Sequence, residues 1–255
     1  MSSRVVLVTG GGTGIGRASA ERFARDGDRT VLIGRRLEPL TAAATEIADA
    51  HDQATKPAVV QGDLSDPDEV ERVVGEVKRR FGAIDVVVHA AGGNVEFADS
   101  APSDSSLHAV ARRWNGNYAS NVLSAVLLSE AVGPLLSDHA RLVFLSSIAA
   151  YRGSGTGSYA AAKAALHPYA FDLAARLGRR GTTVNVVAPG YVSGTEFFHG
   201  RLSDTREKAL VAQTVTGRAG TPDDIAETIH WLSSPAAAHL SGQIVQVNGG
   251  ALYGR

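Results

Sequence analysis

Residues 5–17, Val-Val-Leu-Val-Thr-Gly-Gly-Gly-Thr-Gly-Ile-Gly-Arg, pass from an apolar, β-prone run through a cluster of glycines into a helical segment that begins near Gly14. A strand, a tight turn and a helix start leave backbone N–H groups unpaired at the positive end of a helix dipole, which suits a phosphate, and glycine lets that phosphate approach the main chain. Gly10, Gly14 and Gly16 give T-G-x-x-x-G-x-G, and no register of the stretch satisfies G-x-G-x-x-G. The Walker pattern fails as well, because Arg17-Ala18 stands where Lys-Ser/Thr would hold phosphate and magnesium. The turn therefore points to a nucleotide site made by Gly10, Thr13, Gly14, Ile15 and Gly16, against the simpler reading of a glycine turn used only for positive φ.

The remaining strands and helices alternate with this first unit. Thr30–Ile33, Ala58–Gln61, Ile84–Val88, Arg141–Leu145, Thr183–Val187 and Gln243–Val247 are β-prone, and helical segments separate them. Ser65-Asp66-Pro67 supplies a cap and a first-turn proline to the helix that ends at Phe81-Gly82. From Ser103 to Leu136 the pattern is one long helix, with cap residues among 103–106 and a break at Gly133-Pro134. The alternation predicts a doubly wound parallel sheet of seven strands, α/β in class, with its ligand at the carboxyl ends of the strands. Neither an interdomain linker nor a repeat divides the 255 residues, so a single nucleotide-binding domain over 1–255 is expected.

The strand tips identify the nucleotide. Gly34 stands where an acidic residue would bind the free 2′-hydroxyl of NAD, and Arg35-Arg36 follow, which favours the extra phosphate of NADP(H) over NAD(H). Arg35 is the preferred contact, since a guanidinium grips phosphate bidentately and stacks on adenine. Asp63, followed by Leu64, either accepts from the adenine amine or caps a turn. Ala90-Ala91-Gly92 lets backbone approach the cofactor, and His89 before it reads as a satisfied, buried histidine beside that cofactor rather than a catalytic one.

Composition excludes several classes. With 25 Lys+Arg against 26 Asp+Glu there is no electrostatic reason to expect nucleic acid or an anionic membrane. The absence of cysteine removes disulfides, thiolate catalysis and Cys-based zinc, and no metal site is expected. No charged-then-apolar leader or membrane-length apolar run is visible, so a soluble cytoplasmic protein is the expectation.

Chemistry enters with Ser158-Tyr159-Ala160-Ala161-Ala162-Lys163, a small-residue helix that puts Tyr159 and Lys163 one turn apart on one face. An ammonium beside a phenol favours the phenolate and should lower the tyrosine pKa. Asn121 sits inside a helix, where asparagine is mildly unfavourable, and so calls for another reason to be there. Together with Ser146-Ser147 at a strand end, Asn121 seven residues after Trp114, Pro189-Gly190, and the closing Ser241-Gly242-Gln243 and Gly249-Gly250, the chain resembles the short-chain dehydrogenase/reductase family over nearly its whole length. Within that family it resembles the branch that includes 3-oxoacyl thioester reductases.

The resemblance implies a Rossmann-type fold with helices on both faces and a ketone/secondary-alcohol oxidoreductase acting on a small molecule, assembled as a homotetramer or homodimer. Under it Tyr159 is the general acid/base, Lys163 binds the nicotinamide ribose and lowers the tyrosine pKa, Ser147 holds the substrate carbonyl, and Asn121 holds a proton-relay water. Pro189, Gly190, Val192 and Thr195 would pass the nicotinamide, and residues 193–216, with Phe197, Phe198 and Leu202, resemble a substrate lid. The chain departs from the family pattern in five places, one of them His89, which replaces the first of the family's usual asparagines. Ser147 precedes Tyr159 by twelve residues where relatives often have thirteen, which keeps Ser146 open as the catalytic serine. Gly194 reads as an insertion before Thr195, Asn248 replaces a frequent aspartate, and Pro168 lies inside the Tyr159 helix. Reduction of a 3-oxoacyl thioester is the leading expectation; a steroid, sugar or polyol dehydrogenase and a non-catalytic NADP(H)-binding regulator are the alternatives. A serine hydrolase is disfavoured by the lack of a G-x-S-x-G elbow.

Overall fold

The computed structural model describes residues 3–51, 54–98 and 104–253. Strands β1 (Val5–Thr9), β2 (Arg29–Gly34), β3 (Ala58–Gln61), β4 (Ile84–His89), β5 (Leu136–Leu145), β6 (Thr183–Pro189) and β7 (Ile244–Val247) form one sheet in the order 3-2-1-4-5-6-7. Every pairing is parallel. Parallel neighbours need crossovers, and helices α1 (Gly14–Arg25), α2 (Leu37–Ala50) and α3 (Pro67–Phe81) supply the first three. Two four-residue helices, α4 (Val95–Ala98) and α7 (Ala149–Arg152), sit beside the strand tips. The longer α5 (Leu107–Tyr118), α6 (Ser124–Val132), α8 (Gly157–Leu177), α9 (Asp204–Val211) and α10 (Pro222–Leu232) complete the layers.

The period of two along each strand divides the core. Val5 and Leu7 of β1 face Val73 and Val77 of α3, Leu128 of α6 and Leu166 and Leu173 of α8. Val6 and Val8 face Phe23 of α1, Ile47 of α2 and Ile225 and Ile229 of α10. Both faces of the sheet are therefore covered, which is why its strands read as continuous apolar runs rather than alternating ones.

The order reverses between β1 and β4, and the crevice outside these two strands is where a doubly wound sheet holds its ligand. The long helix expected from 103 to 136 begins at Leu107, with Ser106 accepting from the Ala109 N–H as its cap; Ser103 lies outside the described residues. It is not uniformly α-helical: a π turn over Ala119–Leu123 separates α5 from α6, and a 3₁₀ turn over Gly133–Leu135 ends it. Strand β5 starts five residues earlier than Arg141, because Leu136 pairs with Ile84 before an irregularity shifts the register. Helix α8 continues through Pro168.

Candidate active site

The strand tips open into one cavity of about 1260 Å³, and every expected cofactor residue lines it, from the glycine turn through Arg35, Arg36, Asp63 and Leu64 to Ala90–Gly92, Pro189, Gly190, Val192 and Thr195. The turn is built by close approach. Gly10 has φ +66°, and a Cβ on Gly16 would collide with the Gly10 carbonyl. Helix α1 starts at Gly14 with no side-chain cap from Thr13 and no acidic residue in its first turn, so its leading N–H groups face the cavity without a competing carboxylate. Thr195 lies against this turn, 3.3 Å from where a Gly14 Cβ would stand.

These residues fit a dinucleotide. Side chains at Gly10 and Gly16 would strike the backbone of Ala90–Ala91 and of Gly10, so only glycine lets the turn close this tightly, and Arg35 lines the cavity with no ion pair among the described residues. Arg36 differs from Arg35 in being held by Glu196 at 2.5 Å. Asp63 has the turn-closing role. It lines the cavity and also closes a turn, accepting from the Ser65 N–H at 3.0 Å and its hydroxyl at 2.7 Å. Burial works against its ionisation, but the two Ser65 bonds and the nearby Arg35 charge outweigh this and keep the carboxyl below the ordinary range.

Beyond the glycine turn, β5 and α8 bring the reactive groups together. The Ser147 hydroxyl lines the cavity with the Tyr159 phenol and works against the rise that burial gives the phenol's pKa. Ser146, the alternative, is committed elsewhere: its buried hydroxyl donates to the Lys163 carbonyl at 2.9 Å and meets His167 Nε2 at 2.8 Å. The twelve-residue spacing thus places Ser147, not Ser146, beside the phenol.

The pairing of Tyr159 with Lys163 differs from expectation. Both side chains are buried and share a helix face, yet the ammonium turns to the Leu145 carbonyl at 2.8 Å and stands 5.9 Å from the ring centroid. Burial therefore dominates, pushing the phenol up to about 12 against the opposing effect of Ser147 and lowering Lys163 to about 8. The lowered tyrosine pKa expected from spacing alone is not what this geometry produces.

Asn121 is one layer behind the cavity wall. Its Oδ1 accepts from the Gly93 N–H at 3.0 Å, and its Nδ2 donates to the carbonyls of Gly93 and Asn117 at 2.8 and 2.9 Å. The amide so pins the loop after β4, and the π turn gives it the reach to do so. Asn121 and Lys163 converge on Gly92, where a Cβ would lie 2.5 Å from Asn121 Oδ1 and 3.2 Å from Lys163 Nζ.

His89 is buried as expected but not beside the cavity. It points into the layer below, stacked on Phe144 at 4.3 Å with Nε2 on the Ser129 hydroxyl at 3.0 Å, while Nδ1 has no partner. Burial drops its pKa to about 3, so the ring is neutral. Asn248 closes the final turn, accepting from Gly250 N–H at 3.0 Å.

One network was not foreseen. Ser158, the residue before Tyr159, donates to Glu96 Oε1 at 2.5 Å and accepts from Asn117 Nδ2 at 2.8 Å. Asn117 Oδ1 takes the Val95 N–H at 3.1 Å, and Asn94 Nδ2 donates to Thr156 Oγ1 at 2.8 Å. Three elements, the loop after β4, α5 and the start of α8, are thereby tied together beside the phenol. The signal available in the sequence was Asn117 itself, a second asparagine inside a helix. The adjacent Phe97 packs on Phe197 and Phe198, and Phe197 packs on Tyr159 at 5.3 Å between centroids.

A family model described as enoyl-(acyl carrier protein) reductase matches residues 10–251. The chain is 34% identical over 250 residues to the 3-oxoacyl-[acyl-carrier-protein] reductase FabG of Escherichia coli, covering 97% of this chain and 96% of that one. It is 32% identical over 253 residues to the short-chain reductase protein NovJ of Streptomyces niveus, covering 96% and 93%. Among solved structures, a short-chain dehydrogenase/reductase of Brucella melitensis described as glucose/ribitol dehydrogenase superposes with a TM-score of 0.81 at 31% identity, covering 98% and 97%.

Proposed function

The chain belongs to the short-chain dehydrogenase/reductase family and is an oxidoreductase of the CH–OH/C=O class, and from that premise we propose that it reduces a 3-oxoacyl thioester with NADPH. The observation that carries this reading is that Ser147, Tyr159 and Lys163 line one cavity together with Arg35. A bound reduced nicotinamide would supply the hydride, one hydrogen with two electrons, that the carbonyl carbon accepts.

The protein's own groups then manage charge. As the carbonyl oxygen becomes an alkoxide, Ser147 stabilises it and Tyr159 donates the proton. A phenol pushed up to about 12 by burial holds its proton at neutral pH, the state required of an acid in reduction. Lys163, with its pKa near 8, keeps its positive charge at pH 7 and can hold ribose hydroxyls or steady the phenolate as the proton leaves. Asn121 contributes by fixing the Gly92–Gly93 loop against which substrate and cofactor pack, and a relay water would be held beside it. NADP(H) over NAD(H) rests on Arg35.

The test is NADPH consumption with a short 3-oxoacyl thioester, run in parallel with NADH and with Tyr159→Phe. Turnover with NADPH that greatly exceeds turnover with NADH, and falls at least a hundredfold in the variant, supports the proposal. Tight NADPH binding without turnover of any thioester would remove the substrate assignment.

A further inference from the structure

We propose that Glu96 is a positioning residue for the Tyr159 phenol, acting through the Ser158 hydroxyl to fix the first turn of α8. This rests on the reading that Tyr159 delivers the proton in carbonyl reduction, and it adds the group that holds the phenol where that proton is needed.

The chain entering α8 does not fix itself. Gly153, Gly155 and Gly157 are three glycines in five residues, the first two at φ +74° and +84°, and glycine has the most conformational freedom to lose on folding. Thr156 precedes the helix without giving it a side-chain cap, and the first turn carries no acidic residue. The opening bond of the helix, from the Ala160 N–H to the Thr156 carbonyl, is 3.3 Å long. Tyr159 is the third residue of this helix, so its place in the cavity depends on a turn that its own sequence leaves loose.

What holds the turn comes from elsewhere in the chain. Ser158 Oγ donates to Glu96 Oε1 at 2.5 Å and accepts from Asn117 Nδ2 at 2.8 Å, and Thr156 Oγ1 accepts from Asn94 Nδ2 at 2.8 Å. The residues on both sides of Gly157 are thus tied to the loop after β4 and to α5. Of these partners Glu96 alone is an acid, and a hydrogen bond to a carboxylate is about twice as strong as one between neutral groups. Glu96 is itself set in place, because its N–H donates to Asn94 Oδ1 at 3.1 Å. The next residue, Phe97, packs on Phe197, which packs on Tyr159. One short segment therefore reaches the phenol by two routes, a hydrogen bond to the residue before it and a ring packed on its own. Glu96 does not line the cavity, so it acts by placing Tyr159 and not by touching substrate.

The experiment compares Glu96→Ala, Glu96→Gln, Ser158→Ala and the Glu96→Ala/Ser158→Ala double variant. Two readouts are taken: hydrogen exchange of the amides of residues 160–163, and steady-state kinetics with NADPH and a 3-oxoacyl thioester. Misplacing a reacting group by about 1 Å can cost about a hundredfold in rate. Glu96→Ala should accordingly lower kcat by about tenfold or more, with KM and the NADPH dissociation constant changed by less than about twofold. Exchange at 160–163 should rise by about fivefold or more while that of the second half of α8 is unchanged. Glu96→Gln, which still accepts from Ser158, should recover most of both losses. The double variant should be no worse than Ser158→Ala, because the two residues act through one bond. A loss in KM or NADPH affinity with kcat intact overturns the proposal, as do losses that add in the double variant, a failure of glutamine to rescue, or a first turn that exchanges in Glu96→Ala as it does in the unaltered protein. If no thioester is reduced, the substrate reading falls, and the exchange measurement with its rescue by glutamine still decides this one.

Discussion

Replacing Lys163 with methionine should make the protein more stable at neutral pH while removing its activity. The side chain is buried, and burial lowers its pKa from 10.5 to about 8, so below pH 8 folding carries an ammonium into a poorly solvating site. That difference corresponds to roughly 3 kcal/mol of destabilisation at pH 7. Methionine has nearly the same length and no charge, and loses one charge-assisted hydrogen bond to the Leu145 carbonyl, so a net gain of about 1–2 kcal/mol is expected. The pH dependence separates this from ordinary repacking. For a group whose folded pKa is depressed below its unfolded value, the unfolded state holds the extra proton between the two values, so stability rises with pH across that window. Lys163 should therefore contribute about 2 kcal/mol of increasing stability from pH 8 to 9.5, absent from the variant, and the gap should close. Urea unfolding of both proteins at pH 7, 8, 9 and 9.5 measures it. A variant that is less stable at pH 7, or a gap that does not change with pH, would refute the assignment of a desolvated ammonium at this position.

Other expectations are more local. Ser147→Ala should slow reduction by about a hundredfold, in line with loss of one oxyanion donor, whereas Ser146→Ala should chiefly cost about 1–3 kcal/mol of stability by orphaning buried partners; steady-state kinetics and urea midpoints distinguish them. Gly16→Ala should abolish NADPH binding, since the added methyl strikes the Gly10 carbonyl, which is backbone and cannot turn aside; fluorescence titration checks it. Arg35→Leu should raise the NADPH dissociation constant at least tenfold with a far smaller effect on NADH. Asn117→Leu should cost about 1–3 kcal/mol, because Ser158 and the Val95 N–H lose their buried partner, as read by thermal or urea unfolding.

How much could be read in advance follows from the range of the interactions involved. The glycine turn, the strand-helix alternation and the Tyr159–Lys163 spacing are local patterns, and all reappear in the fold. The choice between Ser146 and Ser147 was not local. It depends on which hydroxyl the α8 helix meets with a carbonyl and His167, and which it meets with a phenol. His89 could be recognised as buried from its place at a strand end, but its face of the sheet was set by the pairing of β4 with β5 beside Phe144. Glu96 and Ser158 lie 62 residues apart and meet only because α8 crosses back to the loop after β4.

By itself the sequence determined the class of fold, the glycine turn and the one-turn spacing of Tyr159 and Lys163, because backbone conformation, periodicity and chemical identity are properties of short stretches. The tertiary structure decided their electrostatics. Tyr159 and Lys163 are one helical turn apart in any α-helix, yet their proton affinities are governed by burial, and the ammonium is turned to the Leu145 carbonyl, contributed by a strand. Desolvation depends on everything packed around a group, and no local pattern carries that information.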